Sequence, residues 1–406
     1  MTGAAVVGTG VVGAAGTDVA GFTAALAAGR SAITATPLGP AAELGPWSLA
    51  DALSDAPEDL RGRALRAAGR APRPVAAAVG AAVQAWVAAG CPDLPGDRVG
   101  VVVAGHNLTD RYTHDLAARY ADRPHHLPAR FALHALDSDH LGTLSEVLGA
   151  TGEGWVAGAA SASGTVGVVH GARLVAAGLV DCCVVVGALT ELTPWHRRGF
   201  AVLGALAADD GDPAGACRPF DADRRGFVPG EAAAALVLES PASAARRGAE
   251  VAAVVAGTAL GLDANRLADP DAGGQARVVR AALAAAGTTA DRLDYVCAHA
   301  TASRLGDATE ARALRAVLGA AAGRPWVNAT KGLTGHCLSA AGVLAAVATV
   351  AQMGGGFVHP NANLRTPLDD RLRFVGATAE PAGIRWALST GFGFGGANAA
   401  VVLRAA

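Results

Sequence analysis

The sequence predicts an α/β fold made of two similar halves, each built around a mostly parallel sheet. Residues 98–104 and 182–187 have the continuous hydrophobicity of strands that are buried on both faces. Between them, residues 165–177 are rich in small side chains and end at a glycine, as a buried helix does. The chain has 406 residues, of which 51% are hydrophobic. It is too long for one simple core and apolar enough for two.

The strand and helix pattern begins again after residue 250. Further strands are predicted at residues 233–238 and 251–255, and a helix at 275–286 is followed by strands at 295–298 and 399–403. The segment AAVVGTGVVG, which begins with a short predicted strand at residues 4–7, resembles AAVVAGTALG after residue 251. We therefore expect a duplicated α/β unit, with an N-terminal half over residues 1–250 and a C-terminal half over 251–406.

An excursion from the core is predicted at residues 105–150. Its central part, residues 111–145, shows no clear strand and is expected at an interface or over the site. Metal-ligand spacing is missing among its histidines, which are predicted to be ordinary loop residues: His114, His125, His126, His134 and His140.

Composition narrows the classes of partner and compartment. The net charge is -2 without a basic block, which argues against nucleic acid and anionic membrane as partners. The apolar run at residues 340–350 is too short to span a bilayer, and residues 1–16 lack the basic region of a secretory signal. The six cysteines are predicted to be small buried hydrophobes in a reduced cytoplasm, with no metal site.

Lysine usage singles out one position. The chain has 33 lysine and arginine residues, and Lys331 is the only lysine among them. A general preference for arginine would have replaced Lys331 as well, unless its position needs a compact ammonium group rather than a planar guanidinium. The alternative is that this lysine is a chance survivor.

Two glycine patterns match G-x-G-x-x-G, but neither is interpreted as a dinucleotide-binding motif. No acidic residue closes a second strand about 20 residues after Gly8, Gly10 and Gly13, as ribose binding requires. The chain ends too soon after Gly391 for a following βαβ unit. Both patterns are interpreted as turns that let the backbone approach backbone or ligand.

Four short motifs carry the chemical information. Ser161 lies just before the predicted buried helix, where the helix dipole favours negative charge, although a serine there is also a common N-cap. His299 directly follows a predicted strand, with Asp307 and Glu310 after it. The third motif, NATKGLTGH, has the lone lysine five residues before a histidine. The fourth, GFGFGGAN, is a glycine-rich segment near the C-terminus.

Together these motifs resemble those of the β-ketoacyl-acyl-carrier-protein synthases, in the same order and nearly from end to end. The segment RPFDADRRGFVPGEAAAALVLE also resembles the central signature of that family. The resemblance implies a thiolase-like fold, in which two similar α/β halves form a five-layered αβαβα core, and a homodimer. It also implies that substrates arrive on the phosphopantetheine of an acyl carrier protein, with no cofactor bound to the chain.

Site residues follow from the same resemblance, position by position. His299, Lys331 and His336 resemble the two catalytic histidines and the lysine of the family, whose lysine interacts with an acidic residue, here Glu310. Thr301 and Ser303 match positions that hydrogen-bond the phosphopantetheine arm. Phe394 matches the gating phenylalanine, whose backbone N–H helps to form an oxyanion hole, and Gly395 belongs to the same oxyanion and gate segment. Departures from the pattern are Ala300 and the alanines of residues 232–235, where the family has more glycine.

Ser161 stands where the family keeps its cysteine nucleophile. A thiol has an unperturbed pKa of about 8.5, whereas a serine hydroxyl is far less acidic and needs a dedicated base. Acyl transfer to residue 161 should therefore be slow. Decarboxylation of a malonyl thioester needs only donors for the enolate oxygen, and the two histidines are retained.

This combination resembles the ketosynthase-like decarboxylases of polyketide β-branching cassettes, which convert malonyl-carrier protein to acetyl-carrier protein. Two alternatives remain open. One is a synthase or acyltransferase that uses Ser161 as its nucleophile, with His299 or His336 as the base. The other is a non-catalytic partner subunit like the chain length factors of type II polyketide synthases, which would form a heterodimer with a cysteine-bearing ketosynthase.

Overall fold

The computed structural model describes residues 3–406, which fold into alternating strands and helices. The strands are β1 (Ala4–Gly13), β2 (Thr34–Thr36), β3 (Gly39–Ala41), β4 (Val99–Ala104), β5 (Gly154–Ala157), β6 (Cys182–Gly187), β7 (Ala232–Glu239), β8 (Ala253–Leu262), β9 (Tyr295–Cys297), β10 (Trp326–Asn328), β11 (Phe357–Val358), β12 (Arg373–Phe374), β13 (Glu380–Pro381), β14 (Trp386–Gly393) and β15 (Ala397–Ala405). The α-helices are α1 (Val19–Ala27), α2 (Leu49–Ala52), α3 (Glu58–Ala68), α4 (Arg73–Ala88), α5 (Asp110–Arg119), α6 (Phe131–His134), α7 (Ser138–Leu148), α8 (Ser163–Ala176), α9 (Pro194–Val202), α10 (Pro241–Arg246), α11 (Ala272–Ala285), α12 (Arg304–Leu318), α13 (Lys331–Thr334) and α14 (Ala341–Gly355).

The two halves share one strand order. In the N-terminal half the strands lie side by side as β5-β4-β6-β7-β1, and in the C-terminal half as β10-β9-β14-β15-β8, with β12 added at the outer edge. When the five strands of each half are numbered by their order in the sequence, both halves place them side by side in the same way: third, second, fourth, fifth, first. The predicted duplication is therefore present in the topology, and β1 and β8, whose sequences look alike, occupy equivalent places.

Each sheet is mixed rather than mostly parallel. β4 runs parallel to β5 and β6, and β9 runs parallel to β10 and β14, whereas β7 and β15 are antiparallel to both of their neighbours. In the C-terminal half the reason is the short link between β14 and β15, because so tight a connection joins only antiparallel strands. β1 and β8 also pair with each other from Ala4↔Val255 to Val6↔Ala253, which joins the two halves edge to edge. The expected boundary at residue 250 stays a prediction; it falls between α10 and β8.

Three buried clusters define the five layers. The central cluster holds α8 and α14 between the inner faces of the two sheets, with side chains such as Val168, Val347 and Val401. A second cluster packs α4 and α7 on the outer face of the N-terminal sheet, and a third packs α11 and α12 on the outer face of the C-terminal sheet. The layer order is therefore αβαβα, as expected for the thiolase-like fold.

Several glycines serve close packing rather than turns. β1 was predicted to end at residue 7, but it continues to Gly13. A Cβ on Gly8 would lie 2.1 Å from the Ala85 carbonyl oxygen, and one on Gly10 would lie 2.0 Å from that of Ala81. Gly8 and Gly10 let α4 lie directly on β1. The prediction that these glycines form a turn was therefore wrong, whereas the prediction that they let two backbones approach closely is confirmed.

The two central helices cross at a pair of glycines. A Cβ on Gly164 of α8 would lie 2.6 Å from the Gly342 nitrogen, and a Cβ on Gly342 of α14 would lie 2.1 Å from the Thr165 nitrogen. Only glycine permits this distance between the two backbones. Because Ser161 precedes α8 and His336 precedes α14, the crossing also sets how close those two residues lie.

Residues 105–150 are helical, not a loop. They contain α5, α6 and α7 and no strand. His114 lies on α5 and His134 on α6, where its Nδ1 lies 2.8 Å from Asp139. His140 on α7 is fully buried, and within residues 3–406 neither of its ring nitrogens has a hydrogen-bond partner. Burial lowers the pKa of His140 to about 4, so this side chain is a neutral core residue.

One apolar stretch in the described part of the chain, residues 338–355, is long enough to cross a membrane by length and composition. It comprises α14 and the turn before it, and 72% of it is buried inside the protein. Its place between the two sheets accounts for its composition. Five of the six cysteines are also buried, as predicted, and all six are unpaired.

The glycine crossing can be tested by stability. Gly342→Ala should destabilise the protein by about 1–3 kcal/mol, since the added methyl group forces α8 and α14 apart. Gly354→Ala is the matched control on the same helix, because nothing lies within 4 Å of its added Cβ. Denaturant unfolding should show Gly354→Ala unchanged or slightly more stable. Equal stability of both variants would contradict the proposed role of the crossing.

Candidate active site

Segments from both halves meet at one cavity of about 810 Å³. Ser161 comes from the turn between β5 and α8, His299 follows β9, and His336 lies between α13 and α14. Phe392 enters from β14. The structure thus brings together residues that are up to 231 positions apart in the sequence, between Ser161 and Phe392.

Ser161 does not cap the helix that follows it. α8 begins at Ser163, and its N-cap position is Ala162. The turn is held by the Ser163 hydroxyl, which accepts from the Ala159 N–H at 2.8 Å and donates to the Ala160 carbonyl at 2.6 Å. Ala160 has a φ of 48°, an uncommon conformation for a residue with a side chain. This turn leaves the Ser161 side chain pointing at His336 instead of at the helix.

The hydrogen bond between Ser161 and His336 has a defined direction. The Leu338 N–H donates to His336 Nδ1 at 3.3 Å, so Nδ1 uses its lone pair as an acceptor. In a neutral imidazole the other nitrogen then carries the proton. His336 Nε2 therefore donates to Ser161 Oγ, which lies 2.8 Å away.

His299 is held through its backbone. Its N–H donates to Glu310 Oε1 and to Thr390 Oγ1, each at 2.9 Å, and its carbonyl accepts from the Lys331 ammonium group. The imidazole ring lies in the cavity wall, with its centre 5.7 Å from that of His336 and 5.8 Å from that of Phe392. The main chain is thus fixed while the ring faces the cavity.

The expected contact between Lys331 and Glu310 takes a different form. No ion pair joins them; both bind the backbone of the same segment. Glu310 accepts from the N–H groups of His299 and Ala300 and from the Thr390 hydroxyl. The carboxylate and the ammonium group therefore clamp the peptide around His299 from two sides, which a direct ion pair would not do.

Both histidines are neutral at pH 7. Burial lowers the pKa of His299 and of His336 well below the ordinary value of 6.5, and the charge of Lys331 lowers both further. Burial also lowers the pKa of Lys331 itself, while nearby thiols and Glu310 oppose that effect. The charge of the lone lysine thus adds to the effect of burial, which is the larger cause of the low pKa of both imidazoles.

Asp307 is a buried acid in the cavity wall to which the sequence analysis assigned no role. Its Oδ2 accepts from the Phe220 N–H at 2.8 Å, and within residues 3–406 its Oδ1 has no partner. Burial raises the pKa of Asp307 to about 7, although the Phe220 hydrogen bond opposes that shift. Its spacing from Glu310, one helical turn along α12, was the available signal.

The glycine-rich loop borders the cavity, but one of its backbone N–H groups already has a hydrogen-bond partner elsewhere. Phe394 is 45% exposed and lines the cavity, and its role as a gate stays a prediction. Gly395 was expected to contribute to an oxyanion hole, yet its N–H donates to the Leu267 carbonyl at 3.0 Å and is already used. The sequence analysis did not predict that Phe392 contacts His299. The segment GFGFGG contains two phenylalanines, and only the register of β14 shows which of them faces the histidine.

The expected phosphopantetheine contacts, Thr301 and Ser303, also line the cavity. The Ser303 hydroxyl caps α12 by accepting from the Gly306 N–H at 3.1 Å, which leaves its own proton available for donation. Among residues 3–406, no group of three or more His, Cys, Asp or Glu side chains is placed to hold a metal ion.

Comparison with known proteins places this geometry in a family. Residues 2–244 match the family described as "Beta-ketoacyl synthase, N-terminal domain", and residues 252–365 match "Beta-ketoacyl synthase, C-terminal domain". The chain belongs to the β-ketoacyl synthase family. It is an enzyme of that family.

Individual relatives agree with this assignment. The chain is 37% identical, over 86% of its length and 83% of the relative's, to the polyketide biosynthesis malonyl-ACP decarboxylase PksF of Bacillus subtilis. It is 35% identical to the 3-oxoacyl-[acyl-carrier-protein] synthase 2 of Vibrio cholerae over 65% of each chain. The solved ishigamide ketosynthase/chain length factor superposes with a TM-score of 0.87 at 28% identity, covering 100% of this chain and 99% of that one.

Replacement of the lone lysine tests its position. Lys331→Arg keeps the charge, but the guanidinium is longer and planar and must fit a site where the lysine is only 3% exposed. We expect a folded protein with strongly reduced turnover of a malonyl thioester, measured beside a thermal melt. Full activity in Lys331→Arg would mean that the lysine is a compositional survivor.

The pH profile tests the charge of Lys331. Because both histidine pKa values lie well below 6.5, turnover in the wild type should stay level as the pH falls through 6.5. Lys331→Met removes the positive charge that helps to lower those values, so any acid limb should move to higher pH. A rate that halves near pH 6.5 both in the wild type and in Asp307→Asn, which removes the carboxyl whose pKa lies at about 7, would contradict the neutral assignment.

Proposed function

We propose that this enzyme decarboxylates malonyl-carrier protein to acetyl-carrier protein in polyketide biosynthesis. The observation that carries the proposal is the direction of the hydrogen bond between His336 and Ser161. His336 Nε2 offers a proton to the serine, so it has no lone pair there with which to take the serine's proton. The histidine in contact with Ser161 is therefore not its base, and a serine without an adjacent base is a poor nucleophile.

The same donor suits the enolate formed by decarboxylation. In the proposed reaction the thioester carbonyl oxygen of the malonyl group accepts hydrogen bonds from His299 and His336. The bond between the α-carbon and the carboxylate breaks, and carbon dioxide leaves. The electron pair of that bond stays with the α-carbon and forms the enolate, whose oxygen the two donors stabilise. A proton from water then adds to the α-carbon and gives the acetyl thioester.

Similarity to PksF supports this choice within the family. That protein is described as a malonyl-ACP decarboxylase of polyketide biosynthesis, and the similarity spans most of both chains. We extend its substrate class to this enzyme: a malonyl group on the phosphopantetheine of a carrier protein, with Thr301 and Ser303 along the arm. No separate cofactor is needed for the proposed steps.

We also propose that the enzyme is a cytoplasmic homodimer. β5 is a terminal strand of the sheet and pairs only with β4 in the described chain, so its other edge can pair with a second copy. The chain-length-factor alternative predicts a heterodimer instead. Light scattering on the purified chain separates the two, since only the homodimer forms without a cysteine-bearing partner.

Turnover on the proposed substrate is the direct test. Malonyl-carrier protein incubated with the enzyme alone should lose its carboxylate and become acetyl-carrier protein, as followed by intact-protein mass spectrometry. Ser161→Ala should retain substantial activity, because the hydroxyl is not the nucleophile. Ser161→Cys is the control that should gain an acyl adduct. Unchanged malonyl-carrier protein together with an acyl adduct on wild-type Ser161 would favour the acyltransferase alternative.

The histidines should behave differently from the serine. His299→Ala and His336→Ala should each lower the decarboxylation rate on the order of 10²-fold or more, as loss of an oxyanion donor does. Circular dichroism and a thermal melt control for folding. Near wild-type rates in both folded variants would rule out the proposed pair of donors.

A further inference from the structure

The hydroxyl proton of Ser161 is not used by the contact with His336. Ser161 Oγ accepts from His336 Nε2 at 2.8 Å, which occupies a lone pair of the oxygen and leaves the proton on it free. Within residues 3–406 this hydroxyl makes no second hydrogen bond, and Ser161 lines the cavity. The serine therefore holds a proton that a ligand beside His336 can receive.

Two other hydroxyl groups around the site use their protons within the protein. The Ser163 hydroxyl donates to the Ala160 carbonyl at 2.6 Å, and the Thr390 hydroxyl donates to Glu310 Oε1 at 2.7 Å. Of these three hydroxyl groups, only that of Ser161 keeps its proton available for a ligand.

The proposed reaction brings the α-carbon of the substrate close to this proton. The enolate oxygen accepts from His336 Nε2, and hydrogen-bonded atoms lie about 2.7–3.2 Å apart. The α-carbon is two covalent bonds from that oxygen, a distance of about 2.4 Å at standard bond lengths. Because Ser161 Oγ lies 2.8 Å from the same nitrogen, the hydroxyl and the α-carbon lie in one small region around Nε2.

We infer that Ser161 is the proton donor to the α-carbon of the enolate, and that it passes on a proton which water supplies. The O–H bond of Ser161 breaks, and the electron pair of the enolate forms the new C–H bond as the thioester carbonyl is restored. The negative charge moves to Ser161 Oγ, where the N–H of His336 stabilises it at the observed distance. A water molecule then returns a proton to Ser161 and leaves as hydroxide, which the buffer neutralises.

This role suits a serine better than that of a nucleophile. A nucleophilic hydroxyl has to lose its proton to a base before it attacks, whereas a proton donor gives it to the substrate, which is itself a strong base as the enolate. Carbon dioxide leaves before the proton is transferred, so Ser161→Ala can keep substantial turnover while the route of the proton changes. The inference rests on the proposed function, because an enolate has to form first.

The configuration of the product tests the inference, since a fixed donor protonates one face of the enolate. The substrate is malonyl-carrier protein with tritium at the α-carbon in a single configuration, and the reaction runs briefly in D₂O. The methyl group of the acetyl product then carries hydrogen, deuterium and tritium, and chiral-methyl analysis determines its configuration. We expect one configuration to exceed the other about ten-fold or more, which corresponds to about 1.4 kcal/mol between the faces. An equal mixture from the wild type would overturn the inference.

Two variants of nearly the same shape locate the donor. Ser161→Thr keeps a hydroxyl and should keep the preference for one configuration. Ser161→Val lacks the hydroxyl, fills the space that a replacing water would take, and should give a nearly equal mixture. Ser339→Ala is the matched control, because Ser339 is another serine of the cavity wall, and it should behave as the wild type does. An undiminished preference in Ser161→Val, or its loss in Ser339→Ala, would contradict the assignment to Ser161.

Turnover in the same reactions separates the inference from the proposed function. If the wild type forms no acetyl product, both are refuted. If it forms acetyl product as an equal mixture of configurations, the inference alone is refuted and the decarboxylation stands. Should Ser161→Val fail to fold, the wild type and Ser161→Thr still decide, because both have to show the same preferred configuration.

Discussion

The chemistry of this site depends on one hydrogen bond that joins the two halves of the molecule. The Leu338 N–H fixes the Nδ1 lone pair of His336, and Nε2 therefore presents a proton to Ser161. The same proton can stabilise an enolate oxygen but cannot be used to activate a hydroxyl. A serine at residue 161 and a donor at His336 both support the proposed decarboxylation without acylation.

The fold produces this contact by bringing two helices unusually close. Gly164 and Gly342 face each other where α8 and α14 cross between the sheets, which brings the turns before both helices together. Around them, Glu310 and Lys331 hold the His299 backbone. Burial, with a smaller contribution from the charge of Lys331, lowers the pKa of both imidazoles. The two glycines of the crossing therefore serve the packing that brings Ser161 and His336 together.

Much of this could be predicted from the sequence, because buried strands, the small-residue helix and the ordered motifs are local signals. The similarity between the sequences of β1 and β8, and the importance of Ser161, His299 and His336, could be predicted from such signals. The use of the Gly395 amide by Leu267 and the separate anchoring of Lys331 and Glu310 were not, since they depend on contacts between distant segments.

The protonation state of His336 is the most direct test of the account. Nitrogen NMR of the enzyme carrying ¹⁵N-labelled histidine distinguishes the two neutral tautomers and the imidazolium, and His336→Gln identifies the signal. At pH 7 the account predicts a neutral ring with its proton on Nε2, unchanged in Ser161→Ala. A proton on Nδ1, or a charged ring, would contradict it, because His336 would then be able to act as a base or would already have done so.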